Sequence, residues 1–199
     1  IDLETSGLDP APVRARDSNE IVLPMRHEIL EIGVIVRDDT HREDHRFNVE
    51  PCHIDTADPR ALEINGWLRR TYAAPPAPLE NVLPRVFKLL QDAHLVGWNL
   101  GLDERFLRAG AWAIGLPLEG GDGQPWRKQV IDLSGQLEPG GGWRKRSFDE
   151  ALQEHGVPFS AKERHGALYD TQLTERLYDA MATKTGRWRR TSLAQSLLA

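Results

Sequence analysis

The chain has 199 residues, enough for one domain with a substantial core, and its one cysteine, Cys52, excludes an internal disulfide framework. With 25 basic and 30 acidic residues the formal charge is −5, so overall charge does not mark a nucleic-acid binder. No apolar run approaches the roughly 20 residues a membrane-spanning helix needs, and a reducing, cytoplasmic location is expected.

The first element is a strand. In Ile1-Asp2-Leu3-Glu4-Thr5-Ser6-Gly7-Leu8 apolar residues and acids alternate, so Asp2 and Glu4 share one face. Two carboxylates held that close repel each other unless a cation lies between them. The chain starts one residue before Asp2 and without methionine, so this strand is expected to be truncated and the sequence to be a fragment or excised domain. From Asp9 to Arg26 the sequence is polar and carries Pro10, Pro12 and Pro24, which predicts a long surface loop.

A buried strand follows over residues 27–36, and a turn at Asp38-Asp39-Thr40 leads to a third strand near residues 46–50, completing an antiparallel meander. Residues 58–70 suit a short helix ending near Asn65-Gly66. After Pro75, Pro76 and Pro78 comes an amphipathic helix that buries Leu79, Val82, Leu83, Val86, Leu89 and Leu90, with Pro84 expected in about its first turn. A short strand at residues 94–98 and a helix at 102–114 come next.

Glycine-rich, basic loops fill 118–146 around an edge strand at 129–133. Two helices, at 148–155 and 168–181, close the domain at residue 183, and residues 184–199 form a basic, then apolar, tail.

The acids Asp2, Glu4, Asp103 and Asp170, together with His165, lie in contexts that make sense if they meet. Alone, an Asp-x-Glu pair means little in a chain with 30 acids. Three ordered motifs mean more: Asp2-Leu3-Glu4-Thr5-Ser6-Gly7, then Asn99-Leu100-Gly101-Leu102-Asp103, then His165-Gly166-Ala167-Leu168-Tyr169-Asp170. In this order, on a strand, a strand-to-helix turn and a helix, they resemble the DEDDh-type 3′→5′ exonucleases of the ribonuclease H-like superfamily, the relatives of polymerase proofreading subunits, oligoribonuclease and ribonuclease T.

The resemblance implies an α/β fold, a mixed five-stranded sheet flanked by helices. It implies hydrolysis of single-stranded DNA or RNA from 3′ ends, releasing nucleoside 5′-monophosphates, with two Mg²⁺ or Mn²⁺ ions as cofactors. Asp2, Glu4 and Asp170 match the ligands of one ion, Asp2 also bridging to the second. Asp103 matches the acid that holds that second ion. His165 matches the general base that takes a proton from water, a task suited to an imidazole. Gly166 stands where a tyrosine-dependent relative would carry its tyrosine.

Thr5, Leu8, Ile64, Asn65 and Asn99 match substrate-contacting positions. Asn65 replaces the usual histidine, and Leu102 replaces the common phenylalanine of the second motif. Trp98 either covers the site or packs in the core. Partners implied are single-stranded 3′ ends and a larger polymerase or nuclease assembly.

Four of six tryptophans have arginine within two residues, at Trp67, Trp126, Trp143 and Trp188. Such clusters could neutralise phosphates and stack on bases, with Arg144, Lys145 and Arg146 as a path for long strands, although solvated surface charge beside half-buried tryptophans is the favoured reading of any single cluster. Two other readings stay open. One is a catalytically silent binding or scaffolding module of the same fold, whose mark would be a missing carboxylate. The other is a phosphodiesterase for very short oligonucleotides or nucleotide signals. His41, Glu43, Asp44 and His45 resemble a metal cluster by composition alone and are expected at a solvated hairpin tip. Asp132 is expected to cap a turn or helix rather than bind metal.

Overall fold

Six aliphatic residues around Gly33, with Glu31 the one charged residue inside the run before Arg37, make β4 (Ile29–Arg37) the central strand, its first six residues all buried. The computed structural model describes residues 1–15, 20–69, 74–117, 125–127, 130–135 and 146–185, the side chains of 184 and 185 excepted. Within these, β1 (Asp2–Thr5) and β5 (Arg42–Asn48) flank β4, both antiparallel, in the order β1-β4-β5. Asp2 pairs with Gly33 and Glu4 with Glu31.

A second, parallel pair, β6 (Val96–Gly97) with β7 (Ile131–Asp132), stands at the β1 side. One backbone hydrogen bond, Ile1 N to Val96 O at 2.9 Å, links the two pieces. Among the described residues these strands form a three-stranded sheet and a two-stranded pair, and the expected single five-stranded sheet is not seen as one continuous ladder. Parallel pairing between two strands of only two residues each leaves too few ladder bonds to make one continuous sheet.

The stretch expected to be a structureless loop also differs. Residues Val13–Arg14 (β2) and Ile21–Leu23 (β3) form a small antiparallel hairpin. Its apolar residues Ile21 and Val22 are exposed, so no alternation of buried and polar side chains announced it. β5 starts four residues earlier than expected, at Arg42. Glu43 and His45 thus lie on a strand rather than a hairpin tip, where His41 Nε2 and His45 Nε2 meet Glu43 at 2.7 and 3.1 Å on the surface.

Helices cover both faces. On one side α2 (Leu79–Leu90) and α3 (Gly101–Ala113) bury Leu83, Val86, Phe106, Leu107 and Ala111 against Ile29, Ile32 and Val34 of β4. A bulge at the Glu4/Thr5 step interrupts the strand alternation, so Ile29 reaches this cluster beside Ile32 and Val34. Pro84 stands in the second turn of α2, beyond its expected place. The buried flank Val82, Leu83, Val86 and Phe87 carries the helix through the missing backbone bond.

On the other side α4 (Phe148–Glu154) and α5 (Ala167–Thr185) bury Phe148, Leu152, Leu173 and Leu177 around Leu133. The remaining helix, α1 (Pro59–Ile64), is capped by the Asp58 side chain and ends at Asn65-Gly66, where Gly66 takes φ +65°. Arg70, Lys128, Trp143, Arg144, Lys145, Trp188 and the 186–199 part of the tail lie outside the described residues.

Candidate active site

Strand geometry sets the first two acids. As residues i and i+2 of β1, Asp2 and Glu4 open onto one cleft of about 680 Å³, lined also by Trp98, Asn99, Phe148, Arg164, His165 and Asp170. Glu4 and Asp170 are buried and His165 is exposed, and ligand atoms of these three lie within 4.8 Å of one another. Two distant segments of sequence meet here because α5 starts directly over β4. The Thr171 hydroxyl donates to the carbonyls of Gly33 and Ala167, at 3.1 and 2.7 Å.

Asp103 lies one layer back, in the first turn of α3. Its Oδ1 accepts the Leu3 N–H at 3.0 Å, which ties α3 to β1 between Asp2 and Glu4. The turn into α3 is shaped by Asn99, whose φ is +57°, and is held by Asp132. That carboxylate accepts the backbone N–H groups of Asn99, Leu100 and Ser134 at 2.9, 3.1 and 2.9 Å, and the Ser134 hydroxyl at 2.7 Å. Asp132 is thus a cap with both oxygens in use, as its sequence position suggested.

Burial pushes Asp2 well above the ordinary carboxylate range, and the negative charges of Asp103, Glu4 and Asp170 push it further. Burial likewise raises Asp103 to about 7. Asp2 and Asp103, buried close to further carboxylates, resist ionisation, a conflict that a divalent cation would relieve. Among the described residues, buried Asp170 Oδ1 has no hydrogen-bond partner. An orphaned carboxylate oxygen beside Glu4, with hard oxygen donors around it, fits a divalent metal ion.

His165 sits at φ +64° immediately before α5, and its N–H donates to Asp170 Oδ2 at 3.1 Å. Asp170 thereby fixes the backbone that carries the imidazole.

The substrate positions divide. Asn99 lines the cleft, and Trp98 does so while packing on Phe148 with ring centres 5.2 Å apart, so it both walls the site and joins the second core. Thr5 ends β1 and Leu8 follows in the next loop, while Asn65, just after Ile64 at the end of α1, reaches the Thr5 carbonyl. Leu8 and Ile64 are 69% and 49% exposed. Asn65 is buried; its Nδ2 donates to Thr5 O at 3.1 Å and its Oδ1 accepts the Trp67 N–H at 3.0 Å.

Five consecutive carbonyls of this loop are each held by a different donor. Thr5 O takes Asn65, Ser6 O takes the Asp58 N–H at 2.7 Å, and Gly7 O takes the Thr5 hydroxyl at 2.7 Å. Leu8 O takes Arg105 Nη2 at 2.9 Å and Asp9 O takes the His27 N–H at 3.1 Å. A backbone so fully committed fixes the point from which the exposed Leu8 side chain projects.

Sequence reasoning missed two members of the site, Arg164 and Arg105. Arg164 adjoins His165, so its proximity was visible, but its partners depend on how α4 and α5 pack.

Residues 1–178 match the family model described as Exonuclease. The chain belongs to this family. It is an exonuclease of the DEDDh type in the ribonuclease H-like superfamily, a group of nucleases that use divalent metal ions. The chain is also 25% identical, over 193 residues, to a protein named Ribonuclease T from Actinobacillus pleuropneumoniae; the match covers 92% of this chain and 82% of that protein.

Proposed function

We propose that this exonuclease removes nucleotides from the 3′ end of single-stranded DNA or RNA by metal-dependent hydrolysis, releasing nucleoside 5′-monophosphates. The observation that carries this reading is the meeting of Asp2, Glu4, His165 and Asp170 in one cleft. Asp2, Glu4 and Asp170 would hold one Mg²⁺ or Mn²⁺ ion, and Asp103 the second together with Asp2. When bound, the pair of ions supplies Lewis-acid stabilisation of the attacking and leaving oxygens.

The protein's own groups do the rest. His165, exposed at the cleft, accepts the proton of the attacking water, and Asp170 orients it through the backbone bond to His165 N–H. The Thr5–Asp9 loop, with Leu8 displayed and Ile64 nearby in the fold, positions the terminal nucleotide, while Asn99 reaches it from the cleft wall. Asn65 acts on this loop from beneath.

Partners are single-stranded 3′ ends, and a larger polymerase or nuclease assembly would deliver them. Among the described residues no helix is long and apolar enough to cross a membrane, and we place the protein in the cytoplasm.

The experiment is a panel of 5′-labelled single-stranded DNA, RNA and dinucleotides, with Mg²⁺ or Mn²⁺, resolved as ladders. Stepwise shortening from the 3′ end, blocked by a 3′-terminal phosphate and by EDTA, is the expected result. Full activity in EDTA, or shortening from the 5′ end, overturns the reading.

A further inference from the structure

Arg164 is an unusual presence in an acidic site. Its side chain is only 10% exposed and is held on three sides. Nε donates to Asp149 Oδ1 at 2.8 Å, the guanidinium carbon lies 4.7 Å from the centre of the Phe148 ring, and Nη1 is ion-paired with Asp170 Oδ2. Asp149 and Phe148 belong to the first turn of α4, and Asp170 to the first turn of α5, so this one side chain joins the two helices that wall the cleft.

Of these three anchors only Asp170 is a candidate metal ligand. The other two, the Asp149 bond and the stacking on Phe148, do not involve the Asp170 carboxylate. A planar guanidinium is suited to such divided duty, since separate N–H groups and its face make separate contacts.

We propose that Arg164 is a positioning residue of the metal site: it is the resident counter-ion of Asp170, with which a divalent cation must compete for the charge of that carboxylate, and so it sets the metal affinity. This rests on the reading of Glu4 and Asp170 as metal ligands. Asp170 Oδ2 already serves a cation and the His165 N–H, whereas Oδ1 is orphaned. A cation drawing on this carboxylate competes with Arg164 for its charge. Asp149 and Phe148 meanwhile anchor the guanidinium at the cleft wall.

The test is Mn²⁺ titration followed by the free-ion EPR signal, on the wild-type protein, Arg164→Gln, Arg164→Lys and Asp170→Asn, with thermal midpoints in EDTA. Loss of an ion pair that competes with the metal should tighten Mn²⁺ binding of Arg164→Gln about tenfold. The same variant should melt lower in EDTA and gain more from Mn²⁺ than the wild type. Arg164→Lys, which keeps the charge, should stay within about threefold of the wild type.

Unchanged or weaker Mn²⁺ binding by Arg164→Gln overturns the proposal while leaving the metal site standing, provided Asp170→Asn abolishes binding. If the wild type binds no Mn²⁺, or Asp170→Asn binds it as well, the metal-site reading falls and the proposal with it. Should Arg164→Gln fail to fold, Asp149→Asn leaves Asp170 as the carboxylate partner of the arginine. That variant should bind Mn²⁺ more weakly than the wild type, and unchanged or tighter binding there overturns the proposal.

Discussion

Gly33 of β4 lies directly beneath the Ala167 carbonyl at the start of α5, so close that a Cβ on Gly33 would run into that carbonyl group. Gly33 is also the strand partner of Asp2. The bare backbone at this point is what lets α5 settle on the sheet and carry His165 and Asp170 to the two acids of β1.

Gly33→Ala should therefore damage the site without touching any of its side chains. The obstacle is backbone rather than a flexible side chain, so α5 must lift. A cost of about 1–3 kcal/mol in denaturant unfolding is expected from overpacking. Activity should fall about a hundredfold, since small displacements of catalytic groups are costly. Unchanged turnover in the alanine variant would show that α5 has room to adjust.

Removing site residues should separate two kinds of loss. Asp2→Asn and Asp170→Asn should abolish Mg²⁺-dependent nucleotide release together with metal binding. His165→Ala should keep metal binding, measured by titration, while slowing turnover by about 10²–10⁴, the range for a lost general base. Parallel loss of metal binding in His165→Ala would make the imidazole a ligand instead.

The metal-free protein should become less stable as the pH rises from about 4 to 7. Folded Asp103 keeps its proton up to about 7, against an ordinary value of 3.8, and Asp2 is raised in the same direction. The folded chain then holds more protons than the unfolded one across that window, so stability present at its acid end is lost as the pH climbs through 7. Asp103→Asn should flatten the slope of unfolding midpoint against pH in EDTA. Metal affinity should run the opposite way and tighten with rising pH, because ligands must be ionised to bind.

The loop that displays Leu8 offers a milder test. Asn65→Ala strands the buried Thr5 carbonyl and the Trp67 N–H, which should cost about 1–3 kcal/mol. Arg105→Ala releases an exposed contact to Leu8 O and should change stability by less than about 1 kcal/mol. Both should raise KM for the terminal nucleotide more than they lower kcat. Steady-state kinetics with short oligonucleotides distinguishes this from general unfolding, which would lower the active fraction without moving KM.

Some elements were legible because one residue's chemistry dictates them locally. The apolar run of β4, the amphipathic stripe of α2 and the Gly66 stop after α1 each carry their signal within a few residues. The β2–β3 hairpin carried none, because its apolar side chains face outward and no core demanded alternation. The gap between the two sheets was equally hidden. Whether Ile1 and Val96 share one bond or a ladder depends on two chain segments 95 residues apart.

The sequence by itself nominated the residues proposed to do chemistry here. Three motifs in order, each short enough to be set by local strand, turn or helix geometry, named the acids, the histidine and the family. Only the tertiary structure decided how those residues are held. Burial, which raises Asp2 and Asp103, is a property of the packed protein, as is the close approach at Gly33 that seats α5. Arg164 shows the difference most sharply. Its place beside His165 is written in the chain, but its pairing with Asp149 and Asp170 exists only because α4 and α5 pack side by side, where low dielectric makes one fixed charge decide what its neighbours can bind.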